Sequence, residues 1–471
     1  MDPLELAAAI RDLYGWAAQH APSPEPVIRR RLLEHLGEDP AGLAVVREDL
    51  TNYDHPNVQV ALDVFVAESG AETELLGLPL EHGFRPGLAE LAQEGGSDYA
   101  VTPGPAEYVP IDVGDRTVSA LRSGLILVAE GEERLAVLLG PGREDDAGLL
   151  LEAMAPRREY AEAWLRRLRE IMREHNVYRA KVLVFGGDHP FRPAPLSVRK
   201  LPGVSRERIV LPSDALERIE RHTAGLARHR DALRASRRHI KRGLLLHGPP
   251  GTGKTLTVMY LAGLMPERTV VLLTGQALGA IGPATRLARS LEPAMIVLED
   301  VDLVAMERMH YMSNPLLFEL LNAMDGLDED ADLIFVLTTN RPDLLEPALA
   351  SRPGRIDLAV ELPLPDAPAR ARLLGLYGEG LDLEPGDRAA VVAATDGSSP
   401  AFIRELMRRA ALGAAEDGTR VTDAHLLAAV DELTRHGGRL TAKLLGAERP
   451  SEPPPEDDDD EEDGDGWSPY E

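Results

Sequence analysis

The 471-residue chain contains no cysteine. That absence excludes a disulfide scaffold, cysteine-ligated zinc or iron–sulfur centres, and thiol catalysis, and it fits a reducing compartment. Lysine is almost missing too: five of the 51 basic residues are Lys, a bias we read as genomic composition and not as chemistry. Positive charge is scarce at the start, where Met1 to Trp16 carries Asp2, Glu5 and Asp12 against Arg11 alone, so no signal peptide is expected there. Long hydrophobic runs are absent as well. The longest uncharged stretch, Thr269 to Thr285, is interrupted by Thr274, Gln276 and three glycines, and is rejected as a membrane span. The histidines show no ligand spacing. A soluble cytoplasmic protein without membrane association is the expectation.

What is present is acid. Asp and Glu number 78 and the formal charge is −27. Its placement matters more than its total. Residues 1–150 hold 10 bases and 27 acids, and residues 451–471 hold 11 acids and no base. Between them, residues 205–450 carry 30 bases and 34 acids, close to neutral. The length suggests two or three domains, and 44% hydrophobic residues suffice for sizeable cores.

Residues 1–200 read as an acidic α+β region that selects a substrate or partner. Two helices are expected before Leu36, separated by Pro22, Pro24 and Pro26, the second striped by Ile28, Leu32, Leu33 and Leu36. Val58 to Val66 is apolar, but its length does not separate helix from strand. Leu125–Val128 and Leu135–Leu139 flank Glu130–Glu133 as a hairpin. Pro156 to His175 predicts a helix with Trp164, Leu165, Leu168 and Ile171 on one stripe, and Val182–Phe185 a strand. Glycine and proline between Gly186 and Pro202 mark a linker.

From about Ser205 the pattern becomes βα alternation. Leu244–Leu246, Val270–Leu273, Ile296–Leu298 and Leu333–Leu337 are continuous apolar runs, as expected for parallel strands covered on both faces. Residues 205–365 are therefore read as a large α/β domain, residues 366–445 as a small all-α domain, and residues 446–471 as a disordered acidic tail.

The sharpest motif is Gly248-Pro249-Pro250-Gly251-Thr252-Gly253-Lys254-Thr255, between the Leu244–Leu246 strand and an apolar helix beginning at Leu256. Two glycines bracketing four residues, followed by Lys and Thr, form a phosphate-binding loop. Glycines let backbone N–H groups wrap the anion, and the helix N-terminus faces it. Lys254 is expected to reach the β- and γ-phosphates, and the Thr255 hydroxyl to ligate Mg²⁺. A second acidic site follows, where the strand Ile296–Leu298 ends in Glu299, Asp300 and Asp302. Acids at the carboxyl end of such a strand suit metal orientation and polarisation of water.

Taken together these residues resemble the AAA ATPases, P-loop NTPases whose parallel sheet carries a C-terminal helical lid. The likeness covers about residues 205–445. Beyond Gly248–Thr255, Leu316 to Gly326 resembles the helix after the second nucleotide motif. Thr338-Thr-Asn340 is similar to the segment whose Asn senses the γ-phosphate, and Gly397-Ser-Ser399-Pro-Ala401 to the lid contact with nucleotide. Pro347 to Asp357 resembles the region where two arginines, here Arg352 and Arg355, reach the ATP of a neighbouring subunit. The resemblance implies ATP and Mg²⁺ as ligands, Leu256 at the nucleotide, a homo-hexameric ring, and remodelling or unfolding of a protein substrate.

Two positions depart from the family pattern. The family places Asp before the catalytic Glu, whereas Glu299 precedes Asp300 here. By position Glu299 takes the metal-side role and Asp300 the base role, as in the similarly reversed pair of the mitochondrial AAA ATPase that translocates the Rieske protein. Secondly, the aromatic–hydrophobic–glycine triplet of the substrate-gripping pore loop corresponds to Ala280-Ile281-Gly282, without the aromatic. Such a loop grips polypeptide poorly, because the aromatic supplies most of the contact area.

Residues 218–242 carry nine bases against Glu220 and Asp231. No aromatic is interleaved and the whole chain is acidic, so nucleic acid is disfavoured as a partner. The terminal Trp467-Ser-Pro-Tyr470-Glu471 resembles the hydrophobic–tyrosine–any ending with which proteasomal ATPases dock on the proteolytic core. The sequence thus favours an ATP-hydrolysing ring acting on a protein. A nucleotide-switched scaffold that threads nothing is the alternative, and a nucleic-acid motor the third reading.

Overall fold

The computed structural model describes residues 26–78, 86–93, 102–142, 148–186, 196–238, 240, 242–302, 324, 331–343, 356–386 and 388–435. The first expected helix, the helix at 316–326 apart from Met324, the two arginines at 352 and 355, and the C-terminal tail lie outside these residues.

The first described helix, α1 (Val27–Leu36), buries Ile28, Leu32 and Leu36 and ends at Gly37 with a φ of +74°. Leu33 is 36% exposed, one position off the expected stripe. β1 (Val45–Leu50) follows, and the ambiguous apolar run is a helix, α2 (His55–Ser69). Next come β2 (Glu72–Gly77), β3 (Glu107–Asp112), β4 (Thr117–Glu130), β5 (Glu133–Pro141) and β6 (Leu149–Met154), then α3 (Arg158–Glu174). The β4–β5 hairpin turns where the sequence placed it, with Glu130 opposite Glu133.

These strands form an antiparallel sheet ordered β1-β6-β5-β4-β2, with β3 also on β4. Alternation along β5 sends Val137 and Leu139 to one core with Trp164 and Leu168 of α3, and Ala136 and Leu138 to another with α1. Both faces are therefore covered.

The second sheet starts earlier than the boundary at 200/205. β7 (Val182–Phe185) and β8 (Leu196–Arg199) join a seven-stranded sheet ordered β13-β9-β12-β11-β10-β7-β8. The segment between Gly186 and Pro202 read as a linker therefore contains a strand, β8, paired to β7. The short β7 offers an apolar edge, and pairing it to β10 satisfies backbone groups that a free strand would leave open. After α4 (Ser213–Glu220) come β9 (Arg242–His247), α5 (Lys254–Leu264), β10 (Thr269–Thr274), α6 (Ile281–Ser290), β11 (Ala294–Glu299), β12 (Leu333–Thr339) and β13 (Leu358–Glu361). All neighbours are parallel except β8, which is antiparallel to β7.

One face of this sheet buries Leu245, Leu273, Ile296, Phe335 and Leu337. The same core holds Tyr53, Val113, Val118, Val177 and Tyr178 from the N-terminal region. Tyr53 meets Phe185 edge-on at 5.5 Å. The opposite face packs Leu244, Val297 and Val336 against α4 and α5. Four helices close the described residues: α7 (Ala367–Tyr377), α8 (Ala389–Ala394), α9 (Pro400–Glu416) and α10 (Asp423–Arg435), around Leu374, Phe402, Leu406 and Leu426. No described helix is long and apolar enough to cross a membrane.

Candidate active site

β9 ends at His247, and the chain turns through residues 248–253 into α5. Gly248, Gly251 and Gly253 have φ values of +143°, +77° and +100°, which side chains with a Cβ seldom adopt. At Gly248 a Cβ would also stand 2.3 Å from the Leu362 carbonyl oxygen, so the loop packs on the end of β13 only with glycine. No side chain caps α5, and the first-turn amides and the positive helix end are left for an anion. The buried Thr252 braces the turn by donating to the Pro249 carbonyl at 2.9 Å.

Lys254 is 7% exposed, and its Nζ donates to the carbonyls of Gly248 and Pro249, both at 2.8 Å. Burial pushes its pKa down, while Asp300 and Asp302 pull it up. The ammonium is thus pre-placed inside the loop, held by carbonyls that phosphate oxygens can replace.

The carboxylates sit where β11 and β12 end side by side. Glu299 is half-buried beside Thr255, whose hydroxyl hydrogen-bonds to it. Burial raises the Glu299 pKa, and Asp300 adds to the rise. The Glu299 Oε1 atom is buried without a hydrogen-bond partner. Asp300 has a φ of +54°, a strained conformation for a residue with a Cβ. Two bonds hold it there: its N–H donates to Thr338 Oγ1, and the Val301 N–H to the Thr338 carbonyl, both at 3.0 Å. Asn340 Nδ2 donates to Asp300 Oδ1 at 3.4 Å.

Asp302, the third acid of that strand end, positions the asparagine. Its buried Oδ1 accepts from the Asn340 N–H at 3.2 Å and from Thr339 Oγ1 at 3.0 Å.

Loop, strand ends and lid enclose a cleft of about 860 Å³. Pro250, Gly251, Thr252, Gly253, Lys254, Thr255 and Leu256 line it, as do Asp300, Asn340 and Ala401. The lid docks by the Ala401 N–H donating to the Gly251 carbonyl at 3.2 Å. Ser399 does not face the cleft. It is fully buried and caps α9, accepting from the Phe402 N–H at 3.2 Å. Arg208, Arg404 and Arg408 also line the cleft and were not anticipated. Arg404 lies one helical turn beyond Ala401, so the 3.6-residue period would have found it.

The residues read as the pore loop lie at the start of a helix. Residues 275–280 form a 3₁₀ helix and Ile281 opens α6. Ala280 is 6% and Ile281 1% exposed, both in the core shared with Tyr178 and Phe185. With no aromatic to carry outward, the apolar pair packs inward, where burial gains more than exposure. Neither side chain is available to grip a polypeptide in this arrangement.

The arrangement fits a divalent cation. A buried carboxylate oxygen with no partner, next to a hydroxyl, is the hard oxygen pair that Mg²⁺ accepts alongside phosphate and water. A parallel sheet with a glycine loop opening a helix, a buried loop lysine and paired acids on the neighbouring strand defines an α/β nucleotide-binding domain of the P-loop class.

Residues 244–364 match the family described as ATPase family associated with various cellular activities (AAA). This region is an AAA domain. Proteasome-activating nucleotidase of Thermococcus kodakarensis is 33% identical over 219 residues, 43% of this chain and 55% of the relative. That of Thermococcus gammatolerans is 34% identical over 224 residues, covering 44% and 53%. ATP-dependent zinc metalloprotease FtsH 2 of Symbiobacterium thermophilum is 32% identical over 239 residues, covering 47% and 40%. The chain spans about half the length of the curated relatives it matches first.

Proposed function

We propose that the chain is a Mg²⁺-dependent ATPase, working as a homo-hexameric ring that remodels or unfolds a protein partner. The observation that carries this is the cleft itself, where Lys254, Thr255, Asp300 and Asn340 converge on one loop. The loop amides and Lys254 bind the phosphates. Thr255 and Glu299 hold Mg²⁺, which supplies charge neutralisation on the phosphates when bound. Asp300 accepts a proton from the attacking water, oriented by Asn340, and the strained Asp300 backbone fixes its direction. Arg352 and Arg355 serve the cleft of a neighbouring subunit. Lys254→Ala tests the site: ATP turnover should fall to background, and turnover retained would overturn it. Mixing inactive Arg355→Ala subunits with Lys254→Ala subunits should restore part of the activity if the arginine acts in trans.

The relatives named proteasome-activating nucleotidase support a proteasome as partner, and to this we add that the chain acts on a protein and docks on the proteolytic core through Tyr470. Deleting residues 467–471 should abolish co-sedimentation with that core, and persistent binding would rule the tail out. A cytoplasmic location accords with the same relatives. The nucleotide-switched scaffold, with no threading, is favoured by one observation, the burial of Ala280 and Ile281. ATP-driven loss of fluorescence from a tagged, unfoldable client decides between the two.

A further inference from the structure

The basic segment that the nucleotide site leaves unused lines a second cavity. Arg218, Arg221, His222 and Leu226 on one side face Arg242, Asp357 and Leu358 on the other, around about 510 Å³. None of these residues lines the nucleotide cleft. The volume falls within the range of small-ligand sites.

Charge bookkeeping singles this cavity out. Three guanidiniums line it against one carboxylate, in a chain that carries 27 excess acids. That carboxylate is partly committed, since Asp357 Oδ2 accepts from the Gly243 N–H at 2.9 Å. On the same helix Glu217 stands beside Arg218 and four residues before Arg221, while Glu220 is engaged elsewhere by Arg206 at 2.8 Å and Tyr260 at 2.5 Å. Arg218 and Arg221 are exposed and form no ion pair among the described residues. His222 completes the lining with a buried Nε2 that has no hydrogen-bond partner there. The exposed guanidiniums of Arg218 and Arg221 present forks that match the oxygens of a bound dianion two at a time.

We propose that this cavity is a phosphate-binding site, separate from the nucleotide cleft, that takes a phosphate dianion through Arg218, Arg221 and Arg242. The dianion is either free in solution or carried on a phosphorylated side chain. The net charge of the lining matches either source, and the site does not depend on the ATPase reading above.

Phenylglyoxal labelling of the full chain in phosphate-free buffer, mapped by peptide mass spectrometry, tests it residue by residue. Inorganic phosphate should cut labelling of Arg218 and Arg221 by about threefold or more, as a bidentate contact blocks the guanidinium. Arg221→Gln should remove the protection of Arg218, and Arg221→Lys should keep part of it. In Lys254→Ala, protection of Arg218 should persist, which separates this cavity from the nucleotide cleft, where Arg404 reports. A phosphoserine peptide that protects better than phosphate, with its unphosphorylated form inactive, assigns the same chemistry to a protein side chain. Unchanged labelling of Arg218 with phosphate overturns the proposal. So does protection lost in Lys254→Ala, or given only by a single-stranded oligonucleotide.

Discussion

The two sheets are built from similar apolar strands, yet only one makes a cleft with chemistry in it. Both are covered on both faces, by cores that alternate along β5 in the first sheet and along β11 and β12 in the second. They differ in direction. In the antiparallel sheet, strand ends alternate, so no edge collects carboxyl termini. In the parallel sheet, β9, β11 and β12 all end on one side, and each end delivers a functional group: the phosphate loop, Glu299 with Asp300, and Asn340. Strand direction gathers the site, and composition alone does not.

A second contrast concerns the joint. Tyr53, Val113 and Tyr178 belong to the N-terminal region, yet they share one core with Phe185, Ile281 and Phe335 of the parallel sheet. β7 and β8 extend that sheet at β10. The N-terminal region keeps its own antiparallel sheet but shares a core with the nucleotide-binding sheet, whereas the helical lid has its own core and reaches the loop by the Ala401 contact.

The contrast in chemistry breaks most sharply at Asp300. Asp300→Asn should lower ATP turnover by about 10²–10⁴ with nucleotide still bound, the range for losing a general base. Steady-state turnover and retention of labelled ATP check this, and unchanged hydrolysis would move the base elsewhere. The shared core is tested next. Phe185→Ala should cost about 3–5 kcal/mol, the usual penalty for emptying a buried aromatic site. A single shifted calorimetric transition supports one cooperative unit. If one of two transitions moves and the other stays, the joint is only a contact.

Asp302→Asn should reduce turnover by about tenfold, because it weakens the hold on Asn340 without touching the reacting groups. Its ATP affinity should stay near that of the parent, which equilibrium binding measures. The smallest effect is expected on the surface of the N-terminal region. Arg158→Ala, which breaks an exposed pair with Glu162 at 2.8 Å, should change stability by no more than about 0.5 kcal/mol. Denaturant melts resolve this, and a larger loss would show that the pair belongs to a network.

The local motifs were legible because each is a short run whose spacing already encodes its geometry. Gly248 to Thr255 makes a loop and helix start in one stretch, and α3 and the β4–β5 hairpin follow from periodicity. Asn340 and Asp300 were readable as candidates, but their contact depends on the parallel register of β11 and β12. The Val58–Val66 run stayed ambiguous because a nine-residue apolar stretch satisfies both periods, and packing against α3 and the sheet decided for helix.

What the sequence determined alone was the phosphate loop, the βα alternation around it, and the concentration of net negative charge at the ends. The tertiary structure decided three things. β7 and β8 belong to the nucleotide-binding sheet, because hydrogen bonds to β10 are long-range and leave no local signature. Ala280 and Ile281 turn inward, because the neighbouring Tyr178 and Phe185 offer them an apolar core. Arg218, Arg221 and Arg242 share one cavity, because α4 and the turn after it pack against the start of β13. Each depends on residues distant in the chain, and their energies appear only once the backbone has brought them together.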